Sequence, residues 1–259
     1  MDAVTGEMTN PLNESEDRML LPSSLMKWVE GPSAYALTDG ALLPDSAVGF
    51  VVDFCLWNDG FAILGTEGIY EWQPSSSELT CLTEESELPE TVRENLLQLE
   101  GCLFVWRGEL CLADSSDGSI RSRKDLSRPV CSFPEEDFTY DDPRGIMNKR
   151  IQRCFPMEDE VWFLLNSFTF ENGNTNELYR LTSDGSFKRF DCPGLINVYP
   201  AGNGVLLKKL IGKEFSYSFL NANLQETPVS IPNAPEDLIA GFAYDSEAEQ
   251  FYGVTENGL

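Results

Sequence analysis

Phe54-Cys55-Leu56-Trp57-Asn58-Asp59-Gly60-Phe61-Ala62-Ile63-Leu64-Gly65-Thr66-Glu67-Gly68-Ile69-Tyr70-Glu71-Trp72 is the stretch that decides the fold. Apolar runs of strand length alternate with short polar turns, and the Asn-Asp-Gly and Glu-Gly steps provide the positive backbone angles that tight hairpins require. Successive side chains in such runs fall on opposite faces of a sheet, so the pattern predicts an antiparallel meander and not a helix.

The pattern recurs along the chain. A second copy reads Leu97 to Leu99, a turn at Glu100-Gly101, Cys102 to Trp106, a turn at Arg107-Gly108, Leu110-Cys111-Leu112 and the turn Ser116 to Ser119. A third has Val161 to Leu165, a longer loop Glu171 to Asn176, then Leu178 to Leu181 and the turn Ser183 to Ser186. A fourth runs from Gly204 through Phe215, Tyr217 and Phe219 to Asn223, and a fifth begins at Leu238. Taking Gly60, Gly101, Glu160, Gly204 and Gln250 as equivalent turns gives spacings of 41, 59, 44 and 46 residues. Four-stranded propeller blades repeat at roughly 40 to 50 residues, and the longest interval is read as holding one insertion.

The predicted fold is therefore all-β, a β-propeller of about five four-stranded antiparallel blades. The blades fall near 50–83, 94–131, 151–192, 195–233 and 237–259, with 132–150 as an insertion loop. A polar, acidic tail occupies 1–24 and the propeller domain 25–259. Outermost strands are expected at Leu79 to Leu82, Ile120 to Ser122, Phe187 to Phe190 and Pro228 to Ile231. Glu84 to Leu97 is the best helical stretch, with Ser86 as a cap and Val92, Leu96 and Leu97 able to pack; Pro89 shortens it, and it reads as a linker turn. The last blade is incomplete at Leu259. Either Ser33 to Leu43, itself strand-turn-strand in pattern, closes the ring, or the chain is the N-terminal part of a larger propeller protein.

The phrase Leu178-Tyr179-Arg180-Leu181-Thr182-Ser183-Asp184-Gly185-Ser186, echoed at Leu110 to Ser119 and Phe219 to Leu224, resembles the blade ending of bacterial TolB-like propellers. The resemblance spans most of residues 50–259 and implies a radial array of sheets used for binding more often than for catalysis. It transfers no functional residue, because such families share a scaffold and not a site.

Composition narrows the chemistry. Acidic side chains number 43 against 18 basic, a formal charge of -25, which makes nucleic acid a poor partner. The chain has no histidine, which excludes Ser-His-Asp and Cys-His catalysis and His-ligated metals. No apolar run is long enough to span a membrane. The N-terminus lacks the basic start and apolar centre of an export signal, yet an acidic, polar stretch is also what remains after a signal or lipid anchor is removed. An extracellular or cell-surface setting is favoured on that reading. The seven cysteines form no C-x-x-C pair and sit mostly among strand-like residues, so they read as small buried hydrophobes.

The insertion carries the candidate contact residues Phe138, Tyr140, Asp141, Asp142 and Arg144, aromatics interleaved with carboxylates on a segment that exceeds the needs of a blade. Asp114-Ser115-Ser116-Asp117-Gly118 and the loop Glu171 to Glu177 each have a calcium-like composition but also that of a plain turn. Neither reading requires a cofactor. Eight bases between Arg121 and Arg153 form a basic sector, read as balance for nearby acids or as a site for an anionic surface. Trp57, Trp72, Trp106, Trp162, Tyr70 and Tyr179 are expected in the layers between blades. The leading functional reading is a non-enzymatic binding module of a larger, exported or surface-attached bacterial protein, with a protein, peptide or carbohydrate ligand. Two alternatives stand beside it: a carbohydrate-active hydrolase using Asp53, Asp59 and Glu67 or the insertion acids, and part of a transporter-associated solute-binding protein.

Overall fold

The computed structural model describes residues 45–73, 75–76, 78–157, 159–171, 173–201, 204–229, 239–245 and 250–255. The acidic tail 1–24 and the segment Ser33 to Leu43 lie outside them. The chain divides into two compact units, residues 46–196 and residues 1–45 with 197–259.

A short helix, α1 (Asp45–Val48), precedes β1 (Val51–Trp57), β2 (Gly60–Gly65), β3 (Gly68–Gln73) and β4 (Glu78–Glu84), which pair in that order as an antiparallel sheet. Asn58 takes a φ of 51° in the first turn, and Gly68 a φ of 137° in the second. A Cβ on Gly68 would lie 2.2 Å from the Thr83 carbonyl, so angle and approach both select glycine there.

Next comes a true helix, α2 (Glu90–Leu97), where the sequence reading placed a linker turn. Val92 and Leu96, four residues apart, share its buried face, whereas Leu97 is exposed and Pro89, not Ser86, stands at the cap. The helix ends where Leu99 adopts a φ of 57°, with the Glu100 N–H donating to the Asn95 carbonyl. Leu97 to Leu99 is thus a helix terminus and not a strand.

That shifts the second sheet by one strand: it comprises β5 (Cys102–Trp106), β6 (Glu109–Ala113), β7 (Ser119–Ser122) and β8 (Asp125–Ser132). Ile120 to Ser122 is its third strand, and the echo at Leu110 to Ser119 is a second-to-third turn. Second strands now begin at Gly60, Glu109, Glu160, Gly204 and Gln250, spaced by 49, 51, 44 and 46 residues, a more even repeat than the one read from the turns.

The insertion is ordered structure: α3 (Glu135–Phe138), then the hairpin β9 (Thr139–Asp142) and β10 (Gly145–Asn148). The third sheet follows as β11 (Arg150–Met157), β12 (Glu160–Thr169), β13 (Gly173–Leu181) and β14 (Phe187–Phe190). In the other unit lie β15 (Leu195–Ala201), whose first two residues belong to residues 46–196, with β16 (Gly204–Ile211), β17 (Glu214–Asn221) and β18 (Glu226–Val229) in one four-stranded sheet. The same unit holds a two-stranded pair, β19 (Ile239–Asp245) with β20 (Gln250–Thr255). The fold is all-β, in four-stranded antiparallel blades of the propeller type, with the two-stranded β19–β20 pair fifth in chain order.

Within residues 46–196 the first strands are neighbours, β1 beside β5 and β5 beside β11, while the remaining strands fan outward from them. Alternation along the second sheet feeds two cores. Leu103, Leu110 and Leu112 meet Leu64, Ile69, Val92 and Leu96 on one face. Phe104, Trp106, Cys111 and Ala113 meet Phe163, Leu165, Tyr179 and Leu181 on the other. Full burial of one large apolar side chain contributes about 1.5–3 kcal/mol, so these inter-sheet layers stabilise the unit far more than any isolated hairpin. Trp72, Trp106, Trp162, Tyr70 and Tyr179 are all buried, and Trp57 is half-buried.

Candidate functional site

The insertion is rooted in the core by aromatic packing. Phe133 stacks on Phe187 with centroids 3.9 Å apart and on Phe138 at 5.5 Å. Pro134 opens the single turn of α3, whose Phe138 N–H donates to the Pro134 carbonyl at 3.0 Å. Gly118, at a φ of 69°, leaves room for the Phe138 ring, since a Cβ there would stand 2.8 Å from it. Phe138 is consequently a core residue, 3% exposed, and anchors the segment. The base of the hairpin closes where the Lys149 N–H donates to the Phe138 carbonyl at 2.8 Å and Asn148 donates to the Ser116 carbonyl.

At the other end, Asp142 and Arg144 fix the turn. The Asp142 carboxylate is buried and accepts from the Arg144 backbone at 3.0 Å and from its Nε at 2.6 Å. Those hydrogen bonds hold the carboxyl below its ordinary range. They also aim the guanidinium, which lies over the Phe170 ring at 5.6 Å from its centroid. Tyr140 is half-buried on β9 and Asp141 is exposed.

Phe170 comes from another part of the third sheet. β12 pairs with β13 out to Thr169 opposite Gly173, whereas pairing with β11 stops at Asn166 and with β14 at Leu178. Residues 167–169 and 173–175 therefore overhang the sheet as a two-stranded ribbon, and much of the predicted loop Glu171 to Asn176 is strand. Phe168 and Phe170, 43% and 73% exposed, pack edge to face at 5.7 Å near its tip. Ile146 on β10 is 74% exposed. Two hairpins distant in sequence thus present Arg144, Phe168 and Phe170 together, with Ile146 on the strand that follows Arg144. The sequence reading singled out Phe138, Tyr140, Asp141, Asp142 and Arg144 and did not single out Phe168 and Phe170, whose only signal is two aromatics beside a turn.

The other candidates are placed differently. The Asp114 carboxylate accepts from Thr91 Oγ1 at 3.0 Å and Asn95 Nδ2 at 2.9 Å, both on α2, and from the Ser116 backbone and hydroxyl at 2.9 and 2.6 Å. Asp117 accepts from the Ser119 N–H and pairs with Arg121 at 3.0 Å. Asp114 serves both the turn and the helix, and Asp117 the turn and Arg121. Within the basic sector, Arg121, Lys124, Arg144, Lys149 and Arg150 each pair with a carboxylate, which is charge balance inside the sheets. Asp59 and Glu67 are exposed in turns at opposite ends of β2, roughly 15 Å apart at the rise of a strand, too far to act as an acid pair.

Asp53 lies on a first strand instead. Burial pushes its carboxyl up to about 6, despite hydrogen bonds from the Leu103 and Phe54 N–H groups. Its neighbours are two thiols, Cys102 of β5 and Cys154 of β11, with one ligand-type atom from each of the three within 4.8 Å of the others. None of the seven cysteines is joined in a disulfide.

No protein-family model and no curated protein sequence matches the chain. Solved structures are similar to the chain at low identity. A streptogramin B lyase is similar over 83% of this chain and 78% of its own, at 11% identity and a TM-score of 0.40. A quinoprotein alcohol dehydrogenase-like protein of Bacteroides thetaiotaomicron is similar over 86% of this chain, at 9% identity and a TM-score of 0.42. The extracellular domain of a putative hybrid two-component system from the same organism is similar over 90%, at 8% identity and a TM-score of 0.41. The chain spans 56% and 38% of the latter two. The likeness is one of propeller-like scaffold; at these scores it carries no argument about activity.

Proposed function

We propose that this chain is a non-enzymatic binding module that engages a protein or peptide partner through Arg144, Ile146, Phe168 and Phe170. The observation that carries the reading is the Phe170 ring, almost three-quarters exposed beside an overhanging ribbon and held beneath a guanidinium from a separate hairpin. Leaving such a ring in water forgoes about 1.5–3 kcal/mol of burial, and nothing in the blade requires it to be there. Aromatic and arginine side chains dominate the energetics of interfaces, and the Arg144–Asp142 pair orders one of them before any partner arrives. The blade ending Leu178 to Ser186 supports the finer reading of a TolB-like type of blade.

The test is selection of a displayed peptide library on the wild-type protein, with F168S/F170S as the counter-target. Recovered peptides should bind the wild type at least tenfold more tightly than the variant, with R144A intermediate. If selected peptides bind both proteins equally, or only arrayed glycans discriminate between them, a peptide-binding role for this surface is wrong.

A further inference from the structure

Asp53, Cys102 and Cys154 come from three strands that are distant in sequence, yet the fold gathers them where the first strands of three sheets run side by side. Leu103 of β5 organises the meeting. Its N–H donates to Asp53 Oδ2 at 2.8 Å, and its carbonyl lies 3.9 Å from Cys154 Sγ. The register of β1 against β2 shifts between Val51 and Asp53, and that of β11 against β12 between Ile151 and Arg153. Each shift comes just before the residue that enters the cluster, as bulges do where they re-aim side chains. Cys102 is 2% exposed, and Asp53 and Cys154 are half-buried.

We infer that Asp53, Cys102 and Cys154 form a binding site for one thiophilic divalent cation of the zinc class. With no histidine in the chain, two thiolates and a carboxylate are the softest donor set gathered at this meeting of strands. Around a tetrahedral zinc, bonds of about 2.0–2.3 Å set ligand atoms roughly 3.5–3.8 Å apart. The donors, within 4.8 Å of one another, reach that spacing by side-chain shifts of about an ångström. One carboxylate oxygen stays on the Leu103 N–H and the other faces the metal, an outer hydrogen bond that orients the ligand. Cys55, two residues along β1 from Asp53 and so on the same face, is the nearest protein candidate for the fourth position, with water as its rival. With water in the fourth position the reaction balances as one divalent cation taken up and two thiol protons released, leaving two metal–sulfur bonds and one metal–oxygen bond each to the carboxylate and the water; Cys55 in place of the water would release a third proton.

The whole chain, reduced and stripped with a chelator, is titrated with cobalt(II) as the spectroscopic probe and then with zinc(II). The expected result is one equivalent of cobalt bound with a thiolate-to-metal charge-transfer band, about two protons released per ion, and displacement by zinc. C102S and C154S should each weaken binding at least a hundredfold and D53A about tenfold, while C81S and C192S leave it unchanged. Because a chain of charge -25 also collects cations on surface carboxylates, cobalt bound without the charge-transfer band or without proton release overturns the inference. So does tight binding that persists in C102S/C154S. The wild-type spectrum and proton count decide the matter even if a variant fails to fold.

Discussion

Asp114→Ala tests how the helix between the first two sheets is held. The Asp114 side chain is fully buried and its two oxygens serve Thr91, Asn95 and Ser116, with the Arg121 Nε 3.7 Å away. Removing it leaves two donors on α2 without their acceptor and takes one of two carboxylates from the Arg121 guanidinium, which keeps Asp117. Hydrogen bonds to a charged acceptor are worth about 1.5–3 kcal/mol each but are not additive when they share one carboxylate. Breaking a buried charged network costs about 3–5 kcal/mol. The expected loss is therefore about 3–4 kcal/mol, a large fraction of the roughly 5–15 kcal/mol that stabilises a domain. Asp117→Ala, at a side chain 49% exposed, should cost under about 1 kcal/mol. Urea unfolding followed by tryptophan fluorescence measures both, and a cycle with Asn95→Ala isolates the link to the helix. A loss below about 1 kcal/mol for Asp114→Ala, or strictly additive effects in the cycle, would refute the claim that this carboxylate pins α2.

Two further outcomes follow from the packing. Gly118→Ala places a methyl 2.8 Å from the Phe138 ring at a φ of 69°, so it should cost about 2–3 kcal/mol and speed amide exchange across β9 and β10 more than in β2; equal protection in wild type and variant contradicts the anchor role of Phe138. Burial raises the Cys111 thiol to about 12 and the Cys131 thiol to about 11 from an ordinary 9.0. The unfolded chain ionises these thiols above about pH 9 while the folded chain does not, so their stabilising contribution is whole below about pH 9 and falls between about pH 9 and 11 for Cys131 and between about pH 9 and 12 for Cys111. The slope is up to about 1.4 kcal/mol per pH unit for each thiol. Urea midpoints under reducing conditions should fall more steeply with pH for the wild type than for C111A/C131A, and parallel curves would exclude it.

Much of the sheet architecture was legible because hairpin chemistry is local. Asn58 and Arg107 sit at positive φ in the turns where the sequence places them, and alternation assigned most strands. The second sheet was misread where local signals compete. Leu97 and Leu99 flank Gln98 in the apolar-polar-apolar order of a strand, but Leu96 and Leu97 close a helix and Gln98 caps it. What favours the helix is Asp114, which reaches Asn95 and Thr91 from 19 and 23 residues away. Phe138 read as a contact residue of an insertion loop because one of its neighbours in the core is Gly118, a residue that carries no side chain to advertise a contact.

Amino-acid order alone determined that the chain pleats, where it turns, that imidazole chemistry is closed to it, and that its body is acidic; each of these is set by a residue and its immediate neighbours. Tertiary structure alone decided which side chains meet: Arg144 over Phe170, and Asp53 beside Cys102 and Cys154. Those meetings depend on how separate strands are stacked and staggered, a consequence of burying both faces of a sheet at once, and no spacing within one segment encodes it.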